Sequence, residues 1–148
     1  MNFETFWTAL QALEKGIKIT TPAAMQVKAA HWGTPPNAVT DLPAFINALS
    51  EPDRTLGFGS RDQRMNITVQ LLVAKATVED ARSCLLATAF WFAAKDAFDK
   101  SSTIGGTVPM ATLRGADPTV PVILQHAGQA YIGFSAILDI HAVEAFTF

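Results

Sequence analysis

Apolar side chains recur every three or four residues at the start of the chain. They are Phe3, Phe6, Trp7, Leu10 and Leu13. This spacing places them on one side of a helix, so it predicts an amphipathic helix over Phe3–Lys15. Lys15 suits the carboxyl-terminal end of a helix dipole, and Gly16 follows it as a stop signal.

Strict alternation between residues 63 and 74 indicates the clearest strand. One side carries Met65, Ile67, Val69, Leu71 and Val73, and the other carries Arg64, Asn66, Thr68, Gln70 and Ala74. Leu72 is the one exception to the pattern. A period of two over this length predicts a strand with one face on a core and a more polar opposite face.

A second alternating stretch lies near the end of the chain. Its shared face consists of Ile132, Phe134, Ala136, Leu138, Ile140 and Ala142. We expect residues 122–125 and 130–143 to form a hairpin about Gly128, with a bulge marked by Gly133.

Residues 78–100 have the composition of a long helix, opened by a loose capping box between Thr77 and Asp80. Apolar groups surround most of its middle, including Trp91 and Phe92. A helix on one side of a sheet needs only one apolar stripe. The surplus predicts a second covering surface, which either the first helix or a neighbouring subunit supplies.

The remaining segments are punctuated by prolines. We expect a strand at residues 42–47, entered through Pro43 as edge strands tolerate, and another at residues 107–113, interrupted by Pro109. Residues 25–29 fit a short strand or a short helix equally well. Residues 51–62 and 114–121 are polar and carry prolines or glycines, which predicts two long loops.

The order of helix, strands, long helix and more strands favours an α+β fold. We expect an antiparallel or mixed sheet with the N-terminal helix and one long central helix packed on one side. The 148 residues match the usual size of one domain, so a single domain over residues 1–148 is predicted.

Charged residues make up 16% of the chain against 49% hydrophobic residues. Soluble monomers usually have about a quarter charged residues, so part of the surface is expected to be covered, most simply by copies of the same chain. A well-buried monomer is the alternative. The net charge of −2, without a run of Lys or Arg, argues against binding to nucleic-acid phosphates.

Several features bear on cellular location. A single cysteine, Cys84, permits no intrachain disulfide and is interpreted as a small buried apolar residue. Residues 1–6 lack the basic start of a secretory signal, and the uncharged stretch at residues 83–94 is too short to cross a bilayer. We therefore expect synthesis in the cytoplasm and no membrane partner.

No residue pattern indicates catalysis, a cofactor or a metal. The histidines His31, His126 and His141 lack a metal-ligand spacing. Ser135, Asp139 and His141 share a strand face, but Ser135 and Asp139 are ~13 Å apart along it, too far for a catalytic triad. They are interpreted as a polar sheet face. The glycines at residues 57–59 lack the lysine and helix of a phosphate loop.

A set of segments spread over most of the chain carries a family resemblance. It comprises the opening helix with Phe6, Trp7 and Leu10, the triplet Leu42-Pro43-Ala44, the stretch from Arg64 to Val69, the long helix, and residues 128–133. With this layout the chain resembles the tail terminator (tail completion) proteins of long-tailed bacteriophages, a group of head–tail connector proteins.

That resemblance implies a structural virion protein at the tail–head junction. Such proteins form a ring, commonly of six subunits, that caps the tail tube and joins it to the head connector. They are not enzymes and hold no cofactor, and DNA passes through the ring without specific binding. A head-closure or other neck protein is the neighbouring alternative.

Candidate interface residues come from the apolar helices and the polar loops. They are Trp7, Trp91, Phe92, Arg54, Phe58, Arg61 and Arg114. Tryptophans at helical spacing, including Trp32, are core residues or interface anchors. Two competing hypotheses remain: a small ligand-binding module that uses Trp91 and Phe92, and an enzyme whose site is assembled from His31, His126 and Asp139.

Overall fold

A six-stranded mixed sheet with two helices on one face organises the fold. A computed structural model describes residues 2–33, 39–50, 63–76 and 81–142. In chain order its elements are α1 (Phe3–Lys15), β1 (Lys18–Ile19), β2 (Met25–Gln26), β3 (Ala29–Trp32), β4 (Ala44–Leu49), β5 (Gln63–Lys75), α2 (Ala81–Lys100), β6 (Met110–Gly115), β7 (Val122–His126) and β8 (Gln129–Ala142). The predicted α+β fold is confirmed.

The strand order in the sheet is β3-β4-β5-β8-β6, and β7 also pairs with β8. The β3–β4 pair is parallel, and the other pairs in the sheet are antiparallel. Strands β1 and β2 form a separate two-stranded sheet. Apolar residues of both helices pack with the inward side chains of β5, β6 and β8 in the main core.

Helix α1 has the predicted bounds. The Asn2 side chain caps its start by accepting a hydrogen bond from the Thr5 backbone N–H at 2.9 Å. Phe6 and Leu10 are fully buried on its inner side. Gly16 ends the helix as predicted, with φ −81°, in the right-handed conformation rather than the left-handed one common at such glycines.

Strand β5 confirms the predicted alternation as far as Leu72, whereas Ala74, predicted on the polar side, packs against the main core beyond a bulge. The side chains of Ile67, Val69 and Leu71 are buried in the main core, whereas Arg64 is exposed on the opposite side. The pairing with β8 shifts between Leu72 and Ala74, which places an extra residue in β5. Leu72 belongs to a second, smaller apolar cluster.

That smaller cluster covers one end of the outer face, defined here as the sheet face opposite the helices. It contains Val39, Ala44, Ile46, Leu72 and Tyr131. The Tyr131 hydroxyl accepts a hydrogen bond from the Val39 backbone N–H at 3.2 Å. The rest of the outer face carries mostly polar side chains from β5, β6 and β8, together with the exposed Met110.

Gly133 lies opposite the bulge that it was predicted to mark, and the extra residue belongs to β5. A side chain at this position would overlap the backbone carbonyl oxygen of Leu71. The close approach of the two strands therefore depends on glycine here.

The hairpin between β7 and β8 is confirmed. Its turn residues Ala127 and Gly128 both have positive φ, 51° and 76°, as in a type I′ turn. His126 Nε2 lies 3.3 Å from Gln70 Oε1, although Gln70 pairs with Ser135 and His126 with Gln129. Their partners on β8, Ser135 and Gln129, are six residues apart, which is ~20 Å in a straight strand. The two side chains can meet only because the hairpin curls over the outer face.

The predictions for β4 and β6 need correction, the first in its place in the sheet and the second in its bounds. Strand β4 follows Pro43 but lies inside the sheet, between β3 and β5. It tolerates the proline because Pro43 precedes the strand and contributes only its carbonyl, which accepts from the Lys28 N–H at 2.8 Å. Strand β6 begins after Pro109 and includes Arg114 and Gly115, which had been predicted as loop.

Residues 25–29, for which the sequence favoured neither strand nor helix, contribute to two short strands, β2 and β3. Two predictions fall outside the described residues. They are the loop at residues 51–62 and the start of the long helix at residue 78, with its capping residues Thr77 and Asp80. Helix α2 is described from Ala81 to Lys100, the predicted end.

A buried polar pair joins α1 to the sheet. Asn47 Nδ2 donates to Glu14 Oε1 at 2.7 Å and to the His31 backbone oxygen at 3.2 Å. Both residues are fully buried, and Glu14 Oε2 and Asn47 Oδ1 have no hydrogen-bond partner among the described residues. Burial raises the pKa of Glu14 well above its ordinary value, and the Asn47 hydrogen bond offsets this only in part.

We expect Glu14→Gln to stabilise the protein at neutral pH, by on the order of 1–3 kcal/mol, because the amide needs no buried charge and adds a donor. A carboxyl group with a raised folded-state pKa stabilises fully below its ordinary pKa of 4.5, and that contribution is lost as the pH rises towards the folded value. The difference in unfolding free energy between variant and wild type should therefore be small at acidic pH and grow towards pH 7.

Urea denaturation at a series of pH values measures this difference. Glu4→Gln, which removes an exposed carboxylate from the same helix, is the matched control and should show no comparable growth with pH. A Glu14→Gln variant whose stability follows the wild type in parallel at every pH would show that the buried carboxyl is not a source of pH dependence.

We expect Gly133→Ala to lower the free energy of unfolding by roughly 3 kcal/mol, because the new methyl group meets backbone atoms that cannot move without breaking the β5–β8 ladder. Gly128→Ala is the control: its Cβ would meet open space, so only the positive φ opposes it, at about 1 kcal/mol. Equal losses in thermal denaturation would contradict the proposed steric origin.

Candidate interaction surfaces

Helix α2 exposes an apolar stripe on the side away from the core. We call Leu85, Ala89 and Phe92 the α2 stripe, since they follow the i, i+4, i+7 spacing of one helix side. Leu85 is 62% exposed and Phe92 67% exposed, while Ala89 between them is half-buried and packs in part against the main core. Helix α1 therefore does not supply the second covering surface that the sequence predicted for this helix.

The two ends of α2 differ in character. On the buried side, Leu86, Phe90, Ala94 and Phe98 fill the core along most of the helix. On the exposed side, the last turns carry two ion pairs, Lys95 with Asp99 at 2.7 Å and Lys100 with Asp96 at 2.8 Å. Charged groups keep that end in water, so the apolar exposure is confined to the first and middle turns.

Two of the predicted interface tryptophans pack within their own chain. Trp91 is half-buried and meets the Phe134 ring edge-on, with centroids 5.3 Å apart. Trp7 is half-buried against Trp32 at 5.5 Å, and Phe3 packs on the same Trp32 ring at 4.9 Å. Both tryptophans therefore contribute to the fold, and their partly exposed edges are what remains for a partner.

A polar depression of about 410 Å³ lies on the outer face. Its lining residues are Arg64, Asn66, Met110, Thr112, Arg114, Asp139, Ile140 and His141. Within it Arg114 Nε donates to Asp139 Oδ2 at 2.6 Å. Pairing of β8 with β5 and β6 aligns Arg64, His141 and Met110 in one row and Asn66, Asp139 and Thr112 in the next.

The predicted interface residues do not form one surface. Phe92 lies on the helix layer, whereas Arg114 lies on the opposite side of the sheet, and Trp7 belongs to α1. Arg54, Phe58 and Arg61 lie outside the described residues. The structure thus separates an apolar surface on α2 from a polar one on the outer face.

The residues of the enzyme hypothesis are not brought together. His31 and Ser135 occupy the same row of the sheet, three strand spacings or ~14 Å apart, and Asp139 lies ~13 Å further along β8. His126 contacts Gln70 instead, and burial lowers its pKa. Asp139 is already paired with Arg114.

Ser135, Asp139 and His141 do share one face of β8, opposite Gln70, Asn66 and Arg64 respectively, so the predicted polar sheet face is present. In the described ranges no three His, Cys, Asp or Glu residues lie close enough to hold a metal ion. Cys84 is half-buried against the core rather than fully buried.

Two comparisons with known proteins found no match. No family model matches the chain, and no curated protein matches it. Of the helices in the described ranges, none has the length and apolar character needed to span a membrane.

Two polar features of the structure, one buried and one on the outer face, were not predicted from the sequence. The Glu14–Asn47 pair was missed, although a carboxylate on the inner side of an amphipathic helix was a possible signal. The depression was missed because its residues come from three strands whose register could not be known. The signal for it was partial: Arg64 and Asn66 stood on the polar side of one alternating strand, and Asp139 and His141 on that of another.

We expect the neighbours Trp91 and Phe92 to differ sharply in their effect on stability. Trp91→Ala removes a core contact with Phe134 and should lower the free energy of unfolding by roughly 2–4 kcal/mol. Phe92→Ala removes an exposed ring and should change it by less than about 0.5 kcal/mol.

Urea denaturation at a protein concentration where both variants are monomeric checks this pair, because self-association would add its own stabilisation. A loss for Phe92→Ala as large as that for Trp91→Ala would show that the α2 stripe is covered within the monomer.

Proposed function

We propose that this protein is a structural virion subunit that assembles with copies of itself into a ring, caps the tail tube of a long-tailed bacteriophage and joins it to the head connector. The α2 stripe is the observation that carries the self-assembly. The α+β fold and the low share of charged residues agree with it. The tail role itself comes from the resemblance to tail terminator proteins.

The α2 stripe favours a protein partner on energetic grounds. Removing a Leu or Phe side chain from water is favourable by about 1.5–3 kcal/mol each. Because both side chains are only about two-thirds exposed, burying them gains together roughly 2–4 kcal/mol. Association costs at least about 4 kcal/mol in lost motion, so Leu85 and Phe92 alone do not hold two chains together. A stable contact buries about 800 Å² per partner, which requires surfaces beside the helix to take part.

A ring needs two different surfaces on each subunit, because each copy meets one neighbour on either side. Ile123 supplies an apolar candidate for the second surface, at 66% exposure on β7. Among the described strands β7 pairs only with β8, so its other edge is open. We assign the contact between neighbours to the α2 stripe of one subunit and the β7 edge of the next.

The ligand-binding hypothesis has less support. Trp91 turns towards Phe134 in the core, while Phe92 points to the surface, so the two rings do not line a common cavity. The polar depression lies on the other face of the sheet and contacts neither ring.

We expect the wild-type protein to form rings, and the double variant Leu85→Ser/Phe92→Ser to remain monomeric with an unchanged fold. Ile123→Ser should also be monomeric. Because the two variants spoil different surfaces, a mixture of them should form a dimer through the one intact contact. Light scattering across a dilution series measures the masses, and negative-stain imaging shows the rings. Met110→Ser, which removes an exposed apolar side chain elsewhere, is the control and should still assemble.

The tail role has its own test with purified tail tubes. Binding of wild-type protein at one end of each tube, seen by electron microscopy, is the expected result. Binding to heads and not to tubes would instead indicate a head-closure protein. A chain that stays monomeric at every concentration and binds neither structure would overturn the proposal.

A further inference from the structure

The polar depression on the outer face is left free by the proposed assembly, because it lies across the sheet from the α2 stripe. Its lining includes two arginines, Arg64 and Arg114, and one acidic residue, Asp139. Arg114 is neutralised by Asp139, with 2.6 Å between Nε and Oδ2. Arg64 is exposed and forms no ion pair with an acidic residue in the described ranges. One cation of the depression is therefore available to a ligand.

Groups around Arg64 suit a carboxylate with an apolar neighbour. Asn66 is two residues further along the same face of β5, so its amide can donate a hydrogen bond beside the guanidinium. Thr112 lies in the same row as Asn66 but two strand spacings away, so its hydroxyl can donate to another part of a bound segment. Met110 is 53% exposed at the far end of the Arg64 row. Two strand spacings, ~10 Å, separate Arg64 from Met110, which is about the length of three residues of an extended peptide.

Electrostatics disfavour nucleic acid in this place. Asp139 is paired with Arg114, so the depression offers one arginine without an acidic partner in the described ranges, and not the row of cations that a run of phosphates needs. The chain as a whole carries a net charge of −2, whereas phosphate-binding surfaces are strongly basic. One arginine can pair with a single carboxylate, whereas it cannot neutralise a run of phosphates.

We propose that this depression docks an acidic segment of a partner protein, with a carboxylate on Arg64, hydrogen bonds from Asn66 and Thr112, and an apolar side chain on Met110. The partner is a different protein and not a second copy, since the contacts assigned to copies use the α2 stripe and β7. The choice of a different protein as partner rests on the proposed assembly, whereas binding of an acidic segment at Arg64 can be tested on the monomer.

A labelled glutamate-rich peptide containing interspersed valines is the probe, followed by fluorescence anisotropy at low ionic strength. We expect it to bind the wild-type protein, and Arg64→Gln to weaken the affinity by about tenfold or more, as the loss of a charge-assisted hydrogen bond implies. Arg82→Gln is the matched control: it removes an exposed arginine from α2 with the same change in net charge, and should alter the affinity by less than about twofold.

Three further measurements locate and identify the interaction. Chemical-shift changes should centre on the amides of Asn66 and Thr112, the same peptide with glutamine for glutamate should not bind, and the monomeric Leu85→Ser/Phe92→Ser variant should bind as the wild type does. Failure of the peptide to bind, equal losses in Arg64→Gln and Arg82→Gln, or tighter binding of a short DNA duplex would each overturn the proposal.

Discussion

The antiparallel ladder between β5 and β8 is the constraint on which the other features depend. It runs from Gln63 opposite Ala142 to Lys75 opposite Tyr131 and forms the centre of the sheet. Side chains alternate between faces along both strands, so the register decides which residues meet the helices and which meet the outer face. A shift of one residue would turn Ile67 and Leu71 to the outer face and Arg64 into the core. The core and the polar depression are thus two results of one pairing.

Long periodic segments were predictable because local pattern and tertiary packing agree in them. α1, β5 and β8 each carry an apolar period that the core then uses, and α2 was predictable from its length and apolar composition. The two-residue strands β1 and β2 and the short strand β3 are too brief to show a period, and only pairing with neighbours makes them strands. The predicted start of β6 was wrong because Pro109 precedes the strand instead of interrupting it.

Contacts between elements were harder to predict than the elements. Glu14 meets Asn47 only because α1 packs against the β3–β4 end of the sheet, and no local pattern encodes that packing. The depression likewise joins β5, β6 and β8, although β6 and β5 are separated in sequence by the whole of α2. The apolar surplus of α2 was evident from composition alone. Its location on Leu85 and Phe92 required the structure, because the core side of the helix had to be known first.

The close approach of the β5 and β8 backbones at Gly133 can help to find proteins with the same fold. Side chains on a sheet surface can be exchanged with little cost, so distant members of a fold lose sequence similarity while they keep the backbone. A glycine forced by two crowded backbones admits no such exchange. A search for chains with an alternating strand, a long apolar helix and then a hairpin with glycine five residues beyond its turn glycine would follow the backbone rather than the side chains. A glycine at the position of Gly133 is therefore a sequence marker of this architecture that does not depend on overall similarity.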